Sequence, residues 1–81
     1  MGEIKVLLFG AAADRAGTRE MRVVAGEMTL DELWPLLAER YPDLSPMRDT
    51  LAFAVNGEYA GGDARVAGGD EVAVLPPVSG G

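Results

Sequence analysis

Cysteine and histidine are both missing from this 81-residue chain. Without thiol or imidazole there is no disulfide, no thiolate nucleophile, no base titrating near neutrality, and none of the common soft metal ligands. Most familiar catalytic centres are thereby excluded, and no metal site is expected. Basic residues are also scarce: 7 Lys and Arg face 13 Asp and Glu, for a net charge of -6. Such a surface repels a phosphate backbone or an anionic membrane, so no nucleic-acid and no membrane partner is expected. Long hydrophobic runs are lacking as well. The best candidate, Val6 to Ala13 (VLLFGAAA), falls well short of the roughly 20 apolar residues a membrane helix needs. Glu3 and Lys5 ahead of it do not make the basic leader of a secretory signal. Val6 stands where a myristoylation motif requires Ser or Thr. A soluble, cytoplasmic protein is the expectation. What remains is a globular mixture, 48% hydrophobic and 25% charged, sized for one domain around one core.

Residues 3–9 (EIKVLLF) alternate Ile4, Val6 and Leu8 on one face with Lys5, Leu7 and Phe9 on the other, the pattern of a strand with one buried side. Gly10 to Thr18, with its Gly, Ala and Asp residues, reads as a connecting loop. Residues 19–24 (REMRVV) read as a return strand with a more solvated face. Thr29 opens the clearest helix: its hydroxyl suits the Glu32 backbone N–H, and the Glu32 carboxylate suits the Thr29 N–H, a capping box. Met28 and Leu33 are placed to form a hydrophobic staple, and Leu30, Leu33, Trp34, Leu37 and Tyr41 recur at helical spacing as one apolar stripe. Trp34 belongs to the core in this reading. Pro35 inside this helix removes a backbone hydrogen bond and predicts a kink or a distorted first turn, and Pro42 stops the helix. Residues 43–50 read as an irregular crossover. Leu51 to Val55 (LAFAV) is an interior strand, Asn56-Gly57 a type I′ turn, Glu58 to Ala60 a short strand folding back, and Glu71 to Leu75 (EVAVL) the last strand.

One helix against several strands makes an α+β domain. The most economical packing is a β-grasp roll: a mixed sheet whose first and last strands run parallel at the centre, one main helix across it, and an extended C-terminal tail. The domain spans residues 1–75 and the tail 76–81.

Catalytic chemistry finds little support among the 13 carboxylates. Asp31 and Glu32 suit the positive end of a helix dipole, and Asp14, Asp43, Asp49, Asp63 and Asp70 fall in segments read as turns rich in Gly, Ser or Pro. Gly68-Gly69-Asp70 precedes a strand and lacks the Lys and Ser/Thr of a phosphate loop. The tail is different. Pro76 and Pro77 end the last strand and favour stiff polyproline II geometry, Val78 and Ser79 follow, and Gly80 and Gly81 add no side chain. A frayed end is one reading of such a tail. A rigid spacer delivering a thin carboxylate terminus is the other.

The ending GGDEVAVLPPVSGG, the upstream AVNGE and the opening IKVLLFGAAADRAGT together resemble the small subunit of molybdopterin synthase, a ubiquitin-like sulfur carrier. The similarity covers nearly the whole chain, and Pro-Pro-Val-Ser-Gly-Gly after GDEVA is its most particular word. Relatives often carry an Arg where this chain has Ala13, with Arg15 two positions later. The resemblance implies that the chain is no enzyme on its own. It implies that the Gly81 carboxylate, ionised and a poor electrophile at neutral pH, is adenylated by an E1-like activating enzyme using ATP and Mg²⁺, then thiocarboxylated with sulfur from a sulfurtransferase. The tail, Pro76, Pro77, Val78, Ser79, Gly80 and Gly81, would then enter the large synthase subunit and give sulfur to cyclic pyranopterin monophosphate, building the molybdopterin dithiolene. No cofactor is held by the carrier itself. Two large and two small subunits are expected in the assembly.

The resemblance places docking on the exposed sheet face, at Phe9, Tyr59 and Leu75. Phe9 and Leu75 fit a core position equally well, whereas amphipathic Tyr59 beside a turn suits an interface better. Two other readings stand beside this one. One is a carrier that serves thiamine, cysteine or tRNA thiolation instead, or a ubiquitin-like protein modifier. From a different class, a plain β-grasp interaction module has an irrelevant tail. Iron–sulfur relatives of the fold are excluded by the missing cysteines.

Overall fold

The computed structural model describes residues 2–76. Strand β1 (Gly2–Leu8) turns Ile4, Val6 and Leu8 inward, all essentially inaccessible to solvent, as the alternation of its sequence requires. It pairs antiparallel with β2 (Glu20–Ala25), where Met21 opposes Val6 and Val23 opposes Ile4. Helix α2 (Leu30–Arg40) crosses one face of the sheet. It leads to a run of 3-10 turns, η1 (Pro42–Thr50), then β4 (Ala52–Val55), β5 (Glu58–Ala60) and finally β7 (Glu71–Leu75). The main sheet has the order β2-β1-β7-β4-β5. Its β1 and β7 run parallel near the centre, with Val6 beside Val72 and Leu8 beside Val74. This is the mixed α+β, β-grasp sheet that the sequence predicts, with β4 as an interior strand between β7 and β5.

Helix α2 starts as its sequence dictates. The Thr29 N–H donates to Glu32 Oε1 at 2.9 Å and the Glu32 N–H donates to Thr29 Oγ1 at 3.2 Å. Leu30, Leu33, Trp34 and Leu37 are buried against the sheet, with the Trp34 ring edge-on to Phe53 at 5.9 Å. Tyr41 sits just past the helix as its C-terminal cap and packs partly buried against the same core.

The structure differs from the local expectations, or adds to them, at several points. Residues 10–18 are not all loop: Gly10–Ala16 forms helix α1, ended by Gly17 in the left-handed region (φ 75) with its N–H on the Ala13 carbonyl at 2.8 Å. Three consecutive alanines favour helix, but a two-turn helix between glycines carries too little periodicity to read. The helix claims Phe9 as its N-cap, so β1 ends one residue sooner than expected. The crossover is likewise ordered as η1, anchored by fully buried Leu44. Helix α2 keeps helical backbone from Leu30 to Arg40 with Pro35 inside it, the helix the sequence predicts. One missing N–H costs a single backbone bond, while four buried side chains hold the turns on both sides. Finally, β3 (Met28–Thr29) pairs with β6 (Arg65–Val66) in a two-residue ladder that no short sequence window signals. Among the described residues no helix is long and apolar enough to cross a membrane.

Candidate functional site

Two parts of the surface bear on function: the point where the tail leaves, and the sheet face that α2 does not cover. The tail leaves from the end of β7 beside the start of α1. There the Phe9 N–H donates to the Val74 carbonyl at 3.1 Å, extending the parallel ladder by one bond beyond β1. Gly10 (φ +56) lies against the first tail residue, such that a Cβ placed on it would meet the Pro76 ring at 3.4 Å. A short helix that sequence reading missed therefore begins beside Pro76, the last of the described residues. The residues expected to carry the chemistry, Pro77, Val78, Ser79, Gly80 and Gly81, lie outside the described residues.

The open sheet face is read from strand register. Directly opposed positions run Leu7, Ala73, Ala54 and Tyr59 across β1, β7, β4 and β5, and Leu75 opposes Ala52 in the next row toward the tail. Phe9 continues the alternation of β1 on this side of the sheet and is 44% exposed; Tyr59 is 68% exposed, and Leu75 is half-buried. The three aromatic and aliphatic residues singled out in the sequence thus share one side, at the end from which the tail departs. Trp34 is in the core, as expected. Toward the other end the face becomes charged. Lys5 reaches Glu71 at 4.0 Å, and Arg22 bridges Glu3 at 3.7 Å and Glu20 at 3.3 Å. The two ends of one face therefore offer an apolar patch and a salt-bridged patch.

Sequence reading missed Leu7, Ala54 and Ala73, because membership of a cross-strand row depends on register between distant strands. It also missed a groove of about 550 Å³ lined by Phe9, Gly10, Ala13, Asp14 and Arg19. Ala13 and Arg19 both line this groove.

The two words AVNGE and GGDE interlock. Asn56 (φ 51) and Gly57 (φ 89) form the predicted left-handed pair of a type I′ turn. The Asn56 amide donates to Asp70 Oδ1 at 3.1 Å and its carbonyl oxygen accepts from the Glu71 N–H at 3.0 Å, while Asp70 Oδ2 accepts from the Ala67 N–H at 2.8 Å. These bonds, first from Ala67 and then from Asn56, hold the Asp70 carboxyl below its ordinary range. Asp70 is thus a turn clamp at the start of β7, and these family words position the strand that carries the tail. Glu32 is lowered similarly, by its bonds from the Thr29 backbone and hydroxyl. Among the described residues no group of three or more acidic side chains is arranged to hold a metal ion.

The ThiS family model matches residues 6–81. The human molybdopterin synthase sulfur carrier subunit is 37% identical over 83 residues, covering 98% of this chain and 94% of the human protein. The crystal structure of SAMP1 from Haloferax volcanii superposes with a TM-score of 0.84 at 35% identity, covering 99% of this chain and all of that one. A chain from the complex of subunits 1 and 2 of the molybdopterin-converting factor of Helicobacter pylori matches at TM-score 0.70 and 26% identity, covering 98% of this chain and 99% of that one. With the family's sequence pattern running from β1 into the tail and the same β-grasp fold beneath it, this chain belongs to the ThiS family and is a ubiquitin-like sulfur carrier.

Proposed function

We propose that this chain is the sulfur-carrier subunit of a molybdopterin synthase, working in molybdenum cofactor biosynthesis in the cytoplasm. The observation that carries this reading is the 37% identity to the human subunit of that name over nearly the full length of both chains. The H. pylori complex of subunits 1 and 2 supports a large-subunit partner. The chemistry is dictated by the terminus. A carboxylate resists nucleophiles because its charge is delocalised over both oxygens, so Gly81 is first converted to an acyl adenylate by an E1-like enzyme with ATP and Mg²⁺. Sulfur supplied by a sulfurtransferase attacks the carbonyl carbon and AMP departs with the former carboxylate oxygen. The thiocarboxylate then enters the large subunit and passes sulfur to cyclic pyranopterin monophosphate. Catalytic side chains belong to that subunit. The carrier contributes the reach of residues 76–81 and a docking face built on Phe9, Tyr59 and Leu75, in a two-plus-two assembly.

A second reading is favoured by the likeness to SAMP1 of H. volcanii, a small archaeal modifier protein: the activated Gly81 is joined to lysines of other proteins. One experiment tests both. The chain is incubated with host extract, ATP and a sulfur donor beside a variant lacking Gly81, and the products are read by intact mass. Sulfur carriage predicts one oxygen-to-sulfur exchange in the full-length chain alone. A modifier predicts covalent adducts with larger proteins. If neither appears while a cognate activating enzyme is active in the extract, the tail is inert and the chain is a binding module only.

A further inference from the structure

Lys5 is the single lysine of this chain; its other basic side chains are all arginine. The difference is chemical. An amine that sheds a proton attacks activated acyl groups, whereas a guanidinium stays protonated and does not. With no cysteine either, Lys5 is the one side chain able to form a stable amide with such a group. The fold leaves this amine accessible. Lys5 stands on the open sheet face, opposite Arg22 on β2 and Glu71 on β7, with its side chain 44% exposed. Its ion pair with Glu71, at 4.0 Å and half in solvent, is a weak restraint. It lies one row along β1 from the Leu7–Ala73–Ala54–Tyr59 row.

We propose that Lys5 is the acyl-acceptor site of this chain, taking the activated Gly81 of a second copy, and that a partner docked on the open sheet face shields it. The inference rests on the reading of Gly81 as an activated carboxyl group. In the step, neutral Lys5 Nζ attacks the carbonyl carbon of the second copy's Gly81 acyl adenylate. The new C–N bond forms, the C–O bond to the phosphate breaks, AMP leaves with the electron pair, and the amine proton passes to water. ATP consumed in adenylation drives the reaction, and no oxidant or reductant takes part. A bare Gly-Gly end suits approach to the middle of a flat sheet, since it brings no side chain to clash with the neighbouring strands. One acceptor per chain makes the products linear. Because Lys5 adjoins the apolar row, a copy linked there occupies the ground of a docked partner, and the carrier is either linked or docked.

The test uses the full chain carrying a thioester at Gly81, which supplies the activated acyl group without the activating enzyme. It is mixed at neutral pH with unmodified chain, and the product is read by intact mass and peptide mapping. A covalent dimer is expected, its isopeptide bond mapping to Lys5, absent when the acceptor is Lys5→Arg, and slowed several-fold when the large synthase subunit is bound. A link mapping to the α-amine or a hydroxyl overturns the proposal, as does an undiminished yield with Lys5→Arg or an unchanged rate with the large subunit bound. Folding of the variant is checked by making Lys5→Arg the thioester donor, which must still acylate the unaltered chain. Since the thioester bypasses adenylation, failure to dimerise leaves the reading of Gly81 standing. Absence of the oxygen-to-sulfur exchange defeats that reading separately.

Discussion

Gly68 shows how a single residue is constrained by a distant one. A Cβ built there would lie 2.5 Å from the Cα of Gly2 and 2.8 Å from its carbonyl carbon and nitrogen. Those are backbone atoms, which cannot rotate aside as a side chain would. Gly68→Ala is expected to push the start of β1 from its place and cost about 1–3 kcal/mol, read as a lower urea midpoint at unchanged slope. The pH dependence of stability also belongs at this scale. Glu32 and Asp70 titrate below their ordinary range in the folded chain because each accepts hydrogen bonds as a carboxylate. Their unfolded values are ordinary, so the stability they contribute is present above about pH 4. It is lost as pH falls through the lowered folded-state values. Urea midpoints measured from pH 5 down to pH 3 should fall, and Asp70→Asn should flatten that limb. An equally steep limb in the variant would mean that the Asn56–Asp70 clamp is not formed in solution.

Among the elements, α2 carries the sharpest conflict between local preference and tertiary demand. Pro35 takes a place where an N–H would bond the Asp31 carbonyl, yet the helix runs on to Arg40. Replacing a helix-interior proline recovers about 3 kcal/mol of intrinsic preference, less up to about 1 kcal/mol from the freer unfolded chain. Pro35→Ala is therefore expected to stabilise the protein by about 2 kcal/mol, seen as a raised urea midpoint. A drop instead would mean that the Pro35 ring makes packing contacts worth more than the bond. The same element holds down its neighbour: Arg48 of η1 pairs with Asp31 at 3.0 Å and lies over Phe53 at 4.9 Å and Trp34 at 6.0 Å. Here a charge bridges the helix N-terminus and the aromatic core, which explains why a segment read as irregular is ordered. Capping box, apolar stripe and alternating strands were legible because each is encoded within a few residues. Helix α1 and the β3–β6 ladder were not, being too short to show a period.

For the whole molecule, the decisive feature is a sheet with one face covered by α2 and the other left open. Tyr59 stands on the edge strand of the open face, 68% exposed. Tyr59→Ala is expected to change fold stability by less than about 0.5 kcal/mol. Its loss should weaken association with a large synthase subunit by about tenfold, as truncation of an interface tyrosine does, measured by calorimetry on the purified pair. Unchanged affinity would remove Tyr59 from the docking face. Of the candidate docking residues, the sequence left Phe9 and Leu75 undecided between core and surface. Both lie on strands or at their ends, where either face is open to an apolar side chain. The parallel placement of β7 beside β1 resolves it, setting Leu75 and Phe9 on the side away from Ile4, Val6 and Leu8.

The residues alone determined that this is a small acidic α+β domain without thiol or imidazole, with Pro-Pro-Val-Ser-Gly-Gly after its last strand. They also determined where its main helix begins. Composition and short-range spacing carry that information, because capping, alternation and turn formation are contacts between residues a few positions apart. Only the tertiary structure decided that Leu7, Ala73, Ala54 and Tyr59 form one row, that Leu75 stands in the next row beside Ala52, and that Lys5 is flanked by Arg22 and Glu71. Each depends on register between strands far apart in sequence, and a shift of one residue would turn every such side chain to the opposite face.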